Sequence, residues 1–125
     1  MRSARLARLR AAKYPDWLRY GNLALAFLVE LGALIGFAAL GALASGWLQL
    51  VLGLIGAALF VGLWAVFAAP RSKRRLPGVS LTYFKIGMFA IAVLLLALAG
   101  QWGWALLLAL AAAVNLALAL VLRQH

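Results

Sequence analysis

The chain has 125 residues, of which 68% are hydrophobic and only 11% are charged, and its formal net charge is +10. A soluble domain carries about 45–50% apolar residues, so this composition excludes water as the solvent for most of the chain. The basic residues other than Lys85 lie outside the apolar segments, and the aromatic residues cap those segments, which argues against nucleic-acid binding. With no cysteine and with His125 as the one histidine, we expect no metal site, no cofactor and no enzymatic activity.

A basic arm, residues 1–21, precedes the first apolar stretch. Its residues 3 to 13 are typical of a short interfacial helix, with Ser3 at the N-cap. Such an arm either binds anionic lipid, at about 1 kcal/mol per well-placed cation, or serves only as a topology signal, and both interpretations stay open. The candidate headgroup contacts in the arm and in the later basic loop are Arg5, Arg8, Arg10, Lys13, Arg71, Lys73, Arg74 and Arg75.

Four apolar stretches follow the arm, each with the roughly 20 residues that a helix needs to cross about 30 Å of hydrocarbon. Very short turns separate the first from the second and the third from the fourth, so we expect two antiparallel hairpins. The predicted fold class is an all-α membrane protein, a four-transmembrane-helix bundle within residues 22–122. The expected helices are about 22–44, 47–69, 80–99 and 102–122, with a basic loop at 70–79.

The distribution of lysine and arginine predicts the orientation, because cytoplasmic loops carry the excess of both. The arm, the 70–79 loop and Arg123 contain every cation except Lys85, and the two tight turns contain none. Both termini are therefore expected in the cytoplasm.

A shift of 55 residues aligns Trp47 with Trp102 and Glu30 with Lys85. These matches indicate a duplicated hairpin, whose halves would be parallel repeats related by an axis along the membrane normal. Alanine and leucine account for most of the other matches, as this composition produces by chance.

Glu30 is the most informative residue, since it lies about eight residues, or roughly 12 Å, into the predicted first helix. An unpaired carboxylate in hydrocarbon is costly or takes up a proton, so such a residue is a functional candidate. Lys85 and Asn115 fall at a similar depth, and the three residues form a predicted membrane-embedded polar cluster.

Three arrangements of this cluster are open. Glu30 pairs with Lys85 while Asn115 donates to the carboxylate. In the second arrangement Lys85 extends to the interface and Asn115 or another side chain satisfies Glu30. In the third, Glu30 binds a proton or a cationic substrate.

Glycines predict where helices approach closely. Gly32 and Gly36 form a GxxxG step in the first helix, and Gly53 and Gly56 give the second helix a small face. We expect these faces to pack within one chain, with homodimerisation as the alternative.

The run from Asn22 to Leu34, with its FLxEL core, and the segment from Leu63 to Arg71 resemble the YrdB-like family of small bacterial four-helix membrane proteins. That family has no established biochemical function. The likeness covers most of residues 22–100 and implies the fold and a bacterial cytoplasmic membrane. In the family pattern an acidic residue also begins the third helix, where this chain has Lys85, so a mechanism with two carboxylates is not expected.

Two functions follow from these features. The first is a structural or accessory bundle that binds lipid, a second copy or another membrane protein, with Glu30 serving assembly. The alternative is a small proton-coupled exporter of cationic compounds that uses Glu30, as in the small multidrug resistance family. The middle helices lack that family's tyrosine and tryptophan signature, and the positive-inside bias argues against its dual insertion. A channel would require an oligomer.

Overall fold

The computed structural model describes residues 14–122 of the chain. Within that range the chain forms α1 (Asp16–Ala38), a 3₁₀ helix (Ala39–Leu43), α2 (Trp47–Phe67), α3 (Gly78–Leu98) and α4 (Trp102–Leu122), and it has no strand. The predicted interfacial helix lies outside the described residues. So do the predicted headgroup contacts of the arm, which are Arg5, Arg8, Arg10 and Lys13.

The predicted all-α four-helix membrane bundle is confirmed. Each of the four helices found in the described range is long and apolar enough to cross a membrane, with the 3₁₀ turn extending the first of them to Leu43. Most large apolar side chains on the outside of the bundle are exposed, as hydrocarbon contact requires. The protein is therefore a multi-pass membrane protein.

Both hairpins begin with a proline. Pro15 (φ −67°, ψ 150°) and Pro77 (φ −83°, ψ 144°) are extended, and their carbonyls accept the first helical N–H groups, from Leu18 at 3.1 Å and Ser80 at 3.0 Å. The first N–H groups of a helix have no acceptor within the helix, so proline, which lacks an N–H, leaves no donor unsatisfied at this position. Helix α1 therefore begins at Asp16, within the predicted arm. A search for apolar residues misses this start, because the first turn of the helix is polar.

Tight turns close the two hairpins at one end of the bundle, which we call the turn side. Gly46 (φ 65°) precedes α2 and Gly100 (φ 80°) follows α3, and this backbone region favours glycine. After α3, the Gly100 N–H bonds to the Ala97 carbonyl at 3.0 Å and the Gln101 N–H to the Leu96 carbonyl at 2.9 Å, which is a Schellman cap. The opposite end, with residues 68–77, is the loop side.

Helix α1 is the centre of the packing, since it contacts α2, α3 and α4, whereas α2 and α4 are not packed against each other. Helix α1 approaches α3 closely at Gly36, where a Cβ would lie 2.8 Å from Ala92 Cβ and 2.9 Å from Ala92 O. Gly36 and Ala92 are both buried. Side chains larger than hydrogen at position 36 would force these two helices apart.

The other predicted glycines also lie at helix contacts. A Cβ at Gly32 would lie 3.0 Å from Leu108 Cδ1 of α4, and one at Gly53 would lie 3.2 Å from the Ala38 carbonyl. Gly56 lies directly against the Phe37 carbonyl of α1. Within the chain, these glycines bring α1 close to α2 and α4.

Candidate functional site

Glu30 projects from α1 toward α2 and α3 and is half-buried. Its carboxylate interacts with the indole N–H of Trp64, in the last turn of α2, and with the charge of Lys85, two turns into α3. The Trp64 Nε1 atom is buried and has no partner at full hydrogen-bond geometry, so its attraction to Glu30 falls short of a hydrogen bond. One carboxylate thus has a partner on each of two neighbouring helices, in the loop-side half of the bundle.

Lys85 is also half-buried and lies between charges of opposite sign. It is attracted by Glu30 and repelled by Arg75 of the basic loop. Among residues 14–122, Glu30 and Lys85 do not close to a direct ion pair, and their attraction acts over a longer distance. Glu30 and Lys85 thus act on each other electrostatically without a direct ion pair, Trp64 and Arg75 belong to their surroundings, and the paired arrangement stays a prediction.

Asn115 does not contribute its amide to Glu30. Its Nδ2 donates instead to Asn22 of α1, at 3.1 Å from the side-chain oxygen and 3.3 Å from the backbone carbonyl. Both asparagines are 3% exposed. The expected donation to the carboxylate is thus replaced by a bond between α1 and α4, because Asn22 lies inside α1 and offers two oxygens to the one amide.

The basic loop folds against the end of α2. The Arg75 side chain donates from Nε to the Ala68 carbonyl at 3.2 Å, and the Leu76 N–H bonds to the Phe67 carbonyl at 2.9 Å. A basic side chain on the last carbonyls of a helix complements its dipole. Arg75 therefore contributes to the loop structure, and its predicted contact with headgroups stays a prediction. The other three basic residues of the loop are less covered: Arg71, Lys73 and Arg74.

Aromatic contacts support both ends of this region. The rings of Phe67 and Phe84 lie 5.5 Å apart and join α2 to α3 on the loop side, while Phe37 and Phe60 lie 5.3 Å apart deeper in the bundle. Tilted ring pairs at such distances add about 0.5–1.5 kcal/mol beyond their buried area. Glu30 is therefore held between helices that also pack firmly by apolar contact.

A separate apolar cleft of about 590 Å³ lies between α1 and α4. It extends from Leu25 to Ile35 along α1, and its lining includes Gln101 and Trp104 near the turn side. Glu30 does not belong to that lining. The carboxylate and the cleft are consequently two distinct features of the bundle.

Sequence reasoning missed two residues of this region. From the sequence we expect Asn22 only as the first residue of a span. An amide side chain at the start of an apolar run is the signal that could have predicted its burial. Trp64 was read only as part of a family motif, although its indole N–H needs an acceptor wherever it is buried. This requirement predicts a hydrogen-bond acceptor close to the end of α2.

Comparison with known proteins identifies a family. A family model described as Protein of unknown function (DUF2568) matches residues 24–113, which include Glu30, Trp64 and Lys85. No curated protein and no solved structure matches the chain. The YrdB-like resemblance and a bacterial source stay predictions.

Proposed function

The chain belongs to the DUF2568 family of proteins of unknown function, and on this premise we propose that it is an accessory membrane protein without enzymatic activity. In this role the four-helix bundle binds lipid or another membrane component. Glu30 serves assembly by holding α1 against α2 and α3.

This proposal rests on the observation that the groups acting on Glu30 belong to the same chain. Trp64 and Lys85 come from α2 and α3 of the same chain. In hydrocarbon, a polar group that is satisfied by neighbouring helices stabilises their association. A carboxylate that is attracted by polar groups of two neighbouring helices of its own chain, without a direct ion pair, is suited to assembly.

The alternative is a proton-coupled exporter of cationic compounds. Its support is that Glu30 is only half-buried, so the bundle does not fully enclose the carboxylate. Against it, the cleft large enough for such a compound has a lining that excludes Glu30. Lys85, a fixed positive neighbour, also disfavours a cationic substrate at this position.

We further propose the cytoplasmic membrane of a bacterium as the location, with both termini in the cytoplasm. The support is the positive-inside bias of the sequence. On that side, the exposed cations Arg71, Lys73 and Arg74 would contact anionic headgroups.

The deciding experiment compares Glu30→Gln with Asp16→Asn, which removes the other carboxylate of the chain at an exposed position of α1. We expect Glu30→Gln to lower the thermal unfolding midpoint in detergent and Asp16→Asn to leave it unchanged. We also expect the wild type to release no protons when tetraphenylphosphonium is added. Proton release that is lost in a Glu30→Gln variant of wild-type stability would contradict the proposal and support the exporter.

A further inference from the structure

The cleft between α1 and α4 has the length of one membrane leaflet. Its wall on α1 runs from Leu25 to Ile35, which at about 1.5 Å per residue is roughly 15 Å, half of the hydrocarbon thickness of about 30 Å. On α4 the wall runs from Trp104 to Ala111. The cleft thus opens near the turn side, beside Trp104, and extends along α1 past the level of Glu30 toward the loop side.

The end of the cleft inside the bilayer is closed by a polar contact. Asn22 lies about one turn beyond Leu25, and Asn115 about one turn beyond Ala111. Their hydrogen bond, at 3.1 Å, joins α1 to α4 at that depth. The asparagine bond therefore lies beyond the loop-side end of the cleft, and along the cleft the two helices approach each other at Gly32 and Leu108.

The chemistry of the lining changes along the cleft. The side chains that face it along α1 and α4 are almost all apolar, and several are exposed to the bilayer, including Leu28 (62%), Ile35 (64%) and Leu107 (55%). Gln101 supplies a polar group at the turn-side end, next to Trp104. Interfacial tryptophan of this kind lies at headgroup level in membrane proteins.

We propose that this cleft binds one acyl chain of a phospholipid from the turn-side leaflet, with the ester region near Gln101 and Trp104. In a bilayer an apolar space of this size is filled by hydrocarbon, because water there lacks polar partners and an empty space forfeits dispersion contacts. The volume of about 590 Å³ lies in the small-ligand range of about 300–1,000 Å³. A transmembrane helix is a poorer occupant, because it needs about 30 Å of contact whereas the wall of the cleft on α1 is roughly 15 Å long.

This site is independent of the role of Glu30, since the carboxylate is not part of the lining. Its test is therefore separate from the test of the proposed function. The probe is a phosphatidylcholine that carries a photoreactive diazirine in one acyl chain, reconstituted with the full-length protein. Adducts are mapped by peptide mass spectrometry, and retained lipid is counted by native mass spectrometry.

We expect more adducts on the cleft residues of α1 and α4 than on the lipid-facing surface of α2. One lipid should remain bound to the wild type. Ala111→Phe places a ring in the cleft and should remove both the retained lipid and the excess of adducts. Ala113→Phe makes the same change at an exposed position of α4 outside the lining and should remove neither.

A second matched pair keeps the test decisive if Ala111→Phe does not fold. Ile35→Phe fills the cleft from α1, and Leu54→Phe adds a ring to the exposed face of α2. Adducts spread evenly over all lipid-facing helices, or lipid retention unchanged by both cleft-filling variants, would overturn the proposal. A dimer whose α1 and α4 are protected from the probe would overturn it too, since a second copy would then fill the cleft.

Discussion

The Asn115 side chain of α4 bonds to both oxygens of Asn22 on α1, a residue 93 positions earlier in the chain. This contact joins the first helix to the last on the loop side of the bundle. It consists of one donor group and two acceptors, all buried, so neither asparagine can be replaced without leaving polar atoms of the other in hydrocarbon.

Replacement of either asparagine is expected to destabilise the bundle. Asn115→Ala should lower the free energy of unfolding by about 0.6–1.7 kcal/mol, as for other hydrogen bonds between membrane helices. Asn22→Ala combined with Asn115→Ala should cost less than the sum of the single changes, since no orphaned amide then remains. Denaturant titration followed by circular dichroism measures all three, and strictly additive losses would show that the two residues are not coupled.

Gly36→Ala should destabilise the bundle although alanine is the better helix former. Its Cβ would lie 2.8 Å from Ala92 Cβ, and such overpacking costs about 1–3 kcal/mol. Gly62→Ala is the matched control, because nothing lies within 4 Å of a Cβ there. That variant should be neutral or gain up to about 1 kcal/mol. Thermal unfolding in detergent compares the two, and equal midpoints would contradict close packing of α1 on α3.

Lys85→Met should destabilise the protein by about 1 kcal/mol or more, because Glu30 then loses its opposite charge in a partly apolar setting. Adding Glu30→Gln to Lys85→Met should recover part of that loss. Lys73→Met removes a cation from an exposed position of the basic loop and should change stability by no more than about 0.5 kcal/mol. If the double variant is as unstable as the two single changes added together, the residues do not interact.

Arg75→Ala should loosen the loop between the hairpins. It removes the 3.2 Å bond to the Ala68 carbonyl, and bonds to charged groups contribute about 1.5–3 kcal/mol. Arg74→Ala removes the same charge from an exposed side chain and is the control. Hydrogen exchange of the Leu76 amide, which bonds to the Phe67 carbonyl, should accelerate only in Arg75→Ala. Equal protection of the Leu76 amide in both variants would show that Arg75 does not anchor the loop.

Orientation can be measured directly because the chain contains no cysteine. Lys73→Cys in the basic loop and Ser45→Cys in the first tight turn each provide one label site. We expect an impermeant maleimide added to intact cells to label Ser45→Cys and to spare Lys73→Cys until the cells are opened. The reverse pattern would place the termini outside.

The fold could be predicted from sequence because hydrocarbon thickness sets helix length and short turns force hairpins. The start of α1 could not, since Asp16 and Arg19 belong to a helix whose first turn extends beyond the apolar run. Hydropathy reports where a chain prefers lipid, whereas Pro15 determines where the helix begins. The fourth helix, which starts directly at Trp102 after a glycine turn, was predicted to the residue.

The candidate site was predictable in part. Depth along each helix was enough to suggest that Glu30 and Lys85 are neighbours, and the two do attract each other. Depth does not define which face of a helix a residue occupies, and for this reason Asn115 was assigned to the carboxylate rather than to Asn22. The cleft was beyond sequence reasoning, because it depends on which side chains of α1 and α4 face the groove between these helices.

The central place of α1 also bears on biosynthesis. A ribosome delivers the chain from the N-terminus at about 5–20 residues per second, so α1 enters the membrane before the helices that it contacts. Each later helix then meets a surface that is already present: α2 at Gly56, α3 at Gly36 and α4 at Asn22. Assembly of this protein can thus proceed in the order of translation, with α1 in place before each helix that packs against it.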